Sequence, residues 1–317
     1  MKGLALMTSF AENLNRKLEE KQNPSLLGLD PNLSYMPDHL LAQAKAEGKE
    51  GADQVASAFL AFNRAILTEV QDIIAAVKFQ SACYEQYGPA GMNCLRESLA
   101  YAKSLGYVTI LDAKRNDIGS TAAAYARASL GTSPLSGTSS GEIEYAAMDA
   151  DAVTLNAYLG IDGIEPFLQA CRVSNKGVFI LVRTSNPSAG DLQDLNLADG
   201  RKVYEAMADL VAQWGESLDA GQDFSSVGAV VGATWPDQAK ELRKRMPRQI
   251  FLIPGYGAQG ASARDALAGF QAGRGGLVNA SRSLMLAWQK EASRGQDFAQ
   301  ATRRAALKMR DDLRSAL

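Results

Sequence analysis

Eight short runs of apolar, largely β-branched residues recur along the chain, each separated from the next by a stretch with helical character. They read SLLGLD (25–30), IIAAVKFQ (73–80), YVTILDAK (107–114), AVTLNAY (152–158), GVFILVRTS (177–185), VGAVVGA (227–233), QIFLIPGYG (249–257) and GGLVNASR (275–282). Near-continuous apolar character suits strands covered on both faces, as in a parallel sheet. Helices are expected between them over 53–72, 90–105, 162–174, 201–216, 236–246 and 262–272. A last helix, from about 284 to the end, would close the ring with its basic residues in water. Eight strand and helix units in 317 residues predict an α/β chain folded as one (β/α)8 TIM barrel over 1–317. A doubly wound sheet with a small appendage is the weaker alternative.

One stretch breaks the rhythm. In RASLGTSPLSGTSSGEIEYAAMDA (127–150) Gly, Ser, Thr and Pro dominate the first half, so 131–140 is expected to be a surface loop between the third and fourth strands. The second half could make a helix.

Composition removes several function classes. Lys and Arg number 33 against 35 Asp and Glu, a formal charge of -2, so there is no basic excess and no nucleic-acid partner is expected. The opening MKGLALMTSFAENLNRKLEE has an apolar run too short for a secretion signal or a bilayer span, which predicts a cytoplasmic chain without a membrane partner. Cys83, Cys94 and Cys171 lie far apart with no C-x-x-C pair, against both a disulfide framework and a zinc site. His39 is the one histidine, better read as a surface or helix-start residue than as a catalytic or metal-binding one. Any chemistry then runs on Asp, Lys and Arg, with no metal expected.

Those residues gather where a barrel of this kind carries its site, at the C-terminal ends of the strands. The first three strands end in Asp30, Lys78 and the pair Asp112 and Lys114, with Asp117 on the loop just beyond. Asp112 and Lys114 are two positions apart and project to the same face of a strand. Any one of these charges alone reads as a rim salt bridge. Together, with signs alternating along Lys78, Asp112, Lys114 and Asp117, they form a polar row whose desolvation costs about several kcal/mol per ion, an unfavourable way to build a core and a reasonable way to build a site.

On the opposite side of the ring, Gly255, Gly257 and Gly260 in PGYGAQGA would let backbone N–H groups approach an anion, and Arg282 in NASRS supplies a bidentate partner. Loops seven and eight are the usual phosphate-binding place in such barrels. Between the two sides, Ser185 and Asn186 in RTSNPSAG could hydrogen-bond a heterocycle edge or merely start a turn. The ligand expected from these residues is a phosphorylated small molecule with a polar head.

The run LDAKRNDIGST matches the D-x-K-x-x-D-I-x-x-T pattern of orotidine 5'-phosphate decarboxylases, and its KRND form resembles their longer bacterial (type 2) branch. LLGLDP, AVKFQ, VRTSNPSA, PGYGAQG and NASRS follow in the family's order, so the resemblance spans nearly the whole chain. It implies decarboxylation of orotidine 5'-monophosphate to uridine 5'-monophosphate and CO2, the last step of de novo UMP synthesis, by a homodimer with shared sites and without a cofactor. Lys78, Asp112, Lys114 and Asp117 resemble the family's charged tetrad, with Asp117 and Thr121 reaching into the partner subunit's site. Asp30 resembles the ribose-binding acid, Gln259 and Arg282 the phosphate ligands, and Ser185 the pyrimidine contact, a role Thr184 could take after a one-residue shift. Asp112 would crowd the departing carboxylate while Lys114 stabilises the developing charge and protonates C6. Two rivals follow: a magnesium-dependent ketose-phosphate decarboxylase or aldolase of the same superfamily, in which Lys78 would compete with the metal, and a catalytically silent nucleotide-binding barrel, which would not need an acid facing a substrate carboxylate.

Overall fold

The computed structural model describes residues 8–135, 144–218, 222–257, 260–291, 293 and 295–317. Eight parallel strands close into a barrel: β1 (Ser25–Leu29), β2 (Ala76–Gln80), β3 (Val108–Arg115), β4 (Ala152–Leu155), β5 (Gly177–Arg183), β6 (Ser225–Val231), β7 (Gln249–Ile253) and β8 (Gly276–Ala280). Each pairs with its neighbours in sequence, and β8 returns to β1 through Ser25 opposite Val278 and Leu27 opposite Ala280. Closure removes both edges of this eight-stranded sheet, so none of its strands is left to template association.

Two apolar clusters follow from the strand alternation. Outward-facing residues such as Leu27, Val77, Leu111 and Phe251 pack with the helical ring. That ring includes α2 (Gly51–Val70), α3 (Gly88–Ser104), α4 (Gly119–Leu130), α5 (Ile161–Ser174), α6 (Val203–Glu216), α7 (Pro236–Arg245) and α8 (Phe298–Ala316), numbered after α1 (Phe10–Lys21). A second cluster fills the lower barrel interior, where Leu26, Ala76, Ile110, Phe179 and Ile250 meet Phe10, Ala11 and Leu14 of α1.

Helix α1 has no counterpart among the expected helices, although its signal was present. Ser9 and Glu12 form a capping box, the Ser9 hydroxyl accepting from Glu12 N at 3.2 Å and the Glu12 carboxylate accepting from Ser9 N at 2.9 Å. The helix closes the N-terminal mouth of the barrel, with Phe10 edge-on to Phe179 at 6.1 Å. Gly177 admits that plug, since a Cβ there would lie 2.2 Å from the Phe10 ring.

Three expected helices are corrected, the last of them because the short helices Arg282–Met285 and Ala287–Lys290 precede α8, which begins at Phe298 rather than near 284. Only Ala263–Ala266 is helical within 262–272, because the chain turns at Ala272 and Gly273, both at positive φ (49° and 76°), and bridges Gln271 to Arg274. The described residues after 143 do not form a helix before β4. Glu144–Tyr145 pairs antiparallel with Ser133–Pro134, and Met148 N and Ala150 N donate to the carbonyls of Ala128 and Ser129 at the end of α4, which draws the segment out along it. Residues 136–140 of the expected loop lie outside the described residues. Among the described residues no helix is long and apolar enough to cross a membrane.

Candidate active site

The upper barrel interior changes character from one side to the other. Lys78, Asp112 and Thr154 on β2 to β4 are polar, whereas Leu181, Val230 and Leu252 on β5 to β7 are apolar, and all six line one cavity of about 800 Å³ at the C-terminal mouth. A heterocycle placed there would rest on the apolar side and meet charge along one edge.

Four charges form a continuous chain of ion pairs. The Lys78 ammonium, 4% exposed, lies 3.0 Å from Asp30 Oδ1 and 3.0 Å from Asp112 Oδ2. The other Asp112 oxygen accepts from Lys114 Nζ at 2.6 Å. Burial opposes the charge on Lys78, but Asp112 and Asp30 outweigh it and hold the ammonium above the ordinary lysine range. Burial likewise opposes ionisation of Asp112, and Lys78 and Lys114 overcome it, keeping this carboxyl well below the usual carboxylate range. Both groups are therefore locked in their charged forms at neutral pH. Cys83 lines the same cavity, and burial pushes its thiol up to about 11, so it stays protonated.

The local backbone explains how Lys114 reaches Asp112. The β3–β4 register slips between Leu111 and Arg115, which face Val153 and Leu155, and Lys114 adopts φ +46°. The strand expected over these residues thus carries an irregularity in its pairing with β4, while positions 112 and 114 share the cavity face as their two-residue spacing predicts. Lys114 N donates to Thr154 Oγ1 at 2.9 Å, and that hydroxyl donates to Asp112 Oδ1 at 2.8 Å. Gln80 Nε2 adds a fourth donor, 3.1 Å from Asp112 Oδ2. Thr154 and Gln80 were not foreseen as site residues; their signal is a polar side chain near the end of an otherwise apolar strand.

The remaining expected residues divide. Asp30, Ser185, Thr184, Asn186 and Arg282 line the cavity with the charged row. Arg282 is exposed at the start of the short helix Arg282–Met285 and its side chain makes no hydrogen bond or ion pair among the described residues, which leaves its guanidinium available to an anion. Gln259 lies outside the described residues. The glycine loop differs from expectation: Gly257 N and Gly260 N already donate within it, to Ala261 O and Gly257 O at 3.0 Å each, because the turn closes on itself. Of the three glycines only Gly255 lines the cavity.

Asp117 and Thr121 do not line it. Asp117 Oδ1 accepts from Ile118 N at 2.9 Å, and the residue stands on the outer rim with exposed Thr121. Within one chain the fourth charge of the row is Asp30. Around Asp117 the surface is unusually apolar, with Ile118, Leu159 and Ile161 between 43% and 52% exposed and Tyr158 at 74%.

Comparison with known proteins agrees with this geometry. The chain is 41% identical to an orotidine 5'-phosphate decarboxylase of Rhodopirellula baltica over 313 residues, covering 97% of this chain and 100% of that protein. It is 34% identical to one from Caldicellulosiruptor bescii, covering 98% and 100% of the two chains. The solved structure of Leishmania donovani OMP decarboxylase superposes with a TM-score of 0.72 at 29% identity, covering 97% of this chain and 98% of that one. Residues 60–294 match the model of the orotidine 5'-phosphate decarboxylase / HUMPS family, and with near-complete relatives at this identity the chain belongs to that family.

Proposed function

We infer that the chain converts orotidine 5'-monophosphate to uridine 5'-monophosphate and CO2 by electrostatic and general-acid catalysis. The observation that carries the reading is the alternation Asp30, Lys78, Asp112, Lys114 inside the cavity, in a chain whose relatives bear that activity in their names. Loss of CO2 from C6 leaves an electron pair in the ring plane, where the ring cannot delocalise it. A fixed cation beside C6 lowers the energy of that state, and a fixed anion beside the carboxylate raises that of the reactant.

Asp112 supplies the anion, held ionised by Lys78 and Lys114. As the carbon–carbon bond breaks, its pair stays on C6, neutral CO2 departs, and Lys114 transfers a proton from Nζ to C6 before regaining one from solvent. Lys114 suits the task because its side chain is 44% exposed and faces the cavity, whereas Lys78 is confined between two carboxylates. Asp30 is placed to hold the ribose, and Arg282 with Gln259 the phosphate, whose binding energy offsets the cost of setting two anions together. The lysine between Asp30 and Asp112 also disfavours the magnesium-dependent alternative, because its ammonium fills the space a cation would need between those acids.

The experiment is direct. Purified protein mixed with orotidine 5'-monophosphate should show the ultraviolet shift of UMP formation at the same rate with and without exhaustive chelation. No turnover would overturn the assignment, and turnover abolished by chelator and restored by Mg2+ would favour the alternative.

The apolar rim suggests a homodimer with shared sites, in which Asp117 and Thr121 reach the partner's cavity. Ile118→Asp should weaken self-association by about 100-fold or more, as for loss of a central apolar anchor, and depress activity in step with the monomer fraction in sedimentation. A dimer unchanged by this substitution would place the interface elsewhere. With three scattered cysteines, we place the protein in the cytoplasm.

A further inference from the structure

Arg183, the last residue of β5, is the largest fully buried side chain among the described residues, lies outside the cavity lining and has no role in the chemistry above. Burying a guanidinium is costly, and an apolar residue of the same volume would ordinarily pack as stably. Every face of this one is nevertheless engaged. Nε donates to Gln238 Oε1 at 2.7 Å, one terminal nitrogen donates to Asp194 Oδ2 at 3.0 Å, and the other lies 3.4 Å from Gln193 Oε1. The plane packs over Trp235 at 4.2 Å and against Tyr204 at 5.3 Å.

These partners converge on the residue next in sequence. Gln193 Oε1 also accepts from Thr184 N at 3.0 Å, so two donors fix which end of that amide faces inward. Its Nε2 then donates to Thr184 Oγ1 at 2.8 Å, and that hydroxyl donates to Asn186 Oδ1 at 2.6 Å. Trp235 Nε1 donates to Thr184 O at 3.0 Å. All three polar groups of Thr184 are thereby occupied. Ser185 follows with its backbone pressed on Gly232, where a Cβ would come within 2.9 Å of Ser185 Cα. Its hydroxyl has no partner among the described residues and lines the cavity.

We propose that Arg183 is a positioning residue: through Gln193 and Trp235 it immobilises Thr184 and so presents the Ser185 hydroxyl, rather than that of Thr184, to the edge of the substrate's base. The inference rests on the decarboxylase reading. It also accounts for a buried cation at the end of a strand whose inward neighbour, Leu181, is apolar.

The test is a double-substitution cycle on kinetics with orotidine 5'-monophosphate, using Ser185→Ala with Arg183→Lys and, as a variant that keeps the buried guanidinium with its Asp194 and Gln238 partners, Ser185→Ala with Gln193→Ala. Each single substitution should raise KM about 10-fold, the scale of one oriented hydrogen bond, with a smaller change in kcat. Each pair should be no worse than Ser185→Ala alone. Inhibition by ribose 5-phosphate, which lacks the base, should be unchanged throughout. Losses that multiply, a Ser185→Ala enzyme with wild-type KM, or weakened ribose 5-phosphate binding would each overturn the positioning role. Absence of turnover in the wild-type protein would instead defeat the underlying assignment, so the two failures are distinguishable.

Discussion

Lys114→Ala should lower kcat/KM for orotidine 5'-monophosphate by about four orders of magnitude or more while leaving the thermal midpoint nearly unchanged. The activity loss combines two contributions. A positioned general acid is worth about 100- to 10,000-fold, and a fixed charge aimed at the developing anion about 100- to 1,000-fold more. The stability change is small because the Lys114 side chain is 44% exposed, so its removal strands no buried ammonium. Asp112 also keeps Lys78, Thr154 and Gln80 as donors after the change. The measurement is single-turnover ultraviolet kinetics beside a thermal melt. Residual activity within ten-fold of wild type would remove Lys114 as proton donor, and a collapse of the melt would make it a structural rim residue.

The sequence made the barrel legible because each strand is buried on both faces, and eight such apolar runs with helical spacers admit few alternatives. Asp30, Lys78, Asp112 and Lys114 were legible for a related reason: charges at the ends of apolar strands stand out against their context. What escaped was set by contacts distant in sequence. Thr154 matters through Asp112, 42 positions away, and a threonine in a strand is otherwise unremarkable. Arg183 gathers Gln238 and Trp235 only because β5 and β6 are neighbours in the barrel. The irregularity in β3 was invisible too, since nothing in DAKR requires a left-handed lysine; the hydroxyl of Thr154 supplies the acceptor that makes it possible. Helix α1 was missed despite its capping box because the eight-unit count already accounted for a closed barrel without it.

Replacing Asp112 by Asn tests the charged row itself, since the shape is kept and only the central anion is removed. Lys78, in the barrel interior, would then keep Asp30 as its one carboxylate partner, and one of the two flanking ammonium groups would face an amide N–H. Breaking a buried pair in this way costs about 3–5 kcal/mol, so the urea midpoint should fall distinctly as catalysis is lost. The pH dependence carries a sign. Asp112 in the folded chain lies below its ordinary value of 3.8, so its stabilisation is fully present above that value and is lost as pH falls toward the folded pKa. Lys78 lies above its ordinary 10.5, so its share is present below that value and is lost as pH rises through the folded pKa. The gap in midpoint between wild type and Asp112→Asn should therefore be constant from about pH 5 to pH 9 and narrow below about pH 4, as the linkage of a depressed carboxyl requires. A gap that widened toward acid, or one that titrated between pH 5 and 9, would mean that Asp112 is not held as an anion by these lysines, and the electrostatic account of the reaction would lose its central charge.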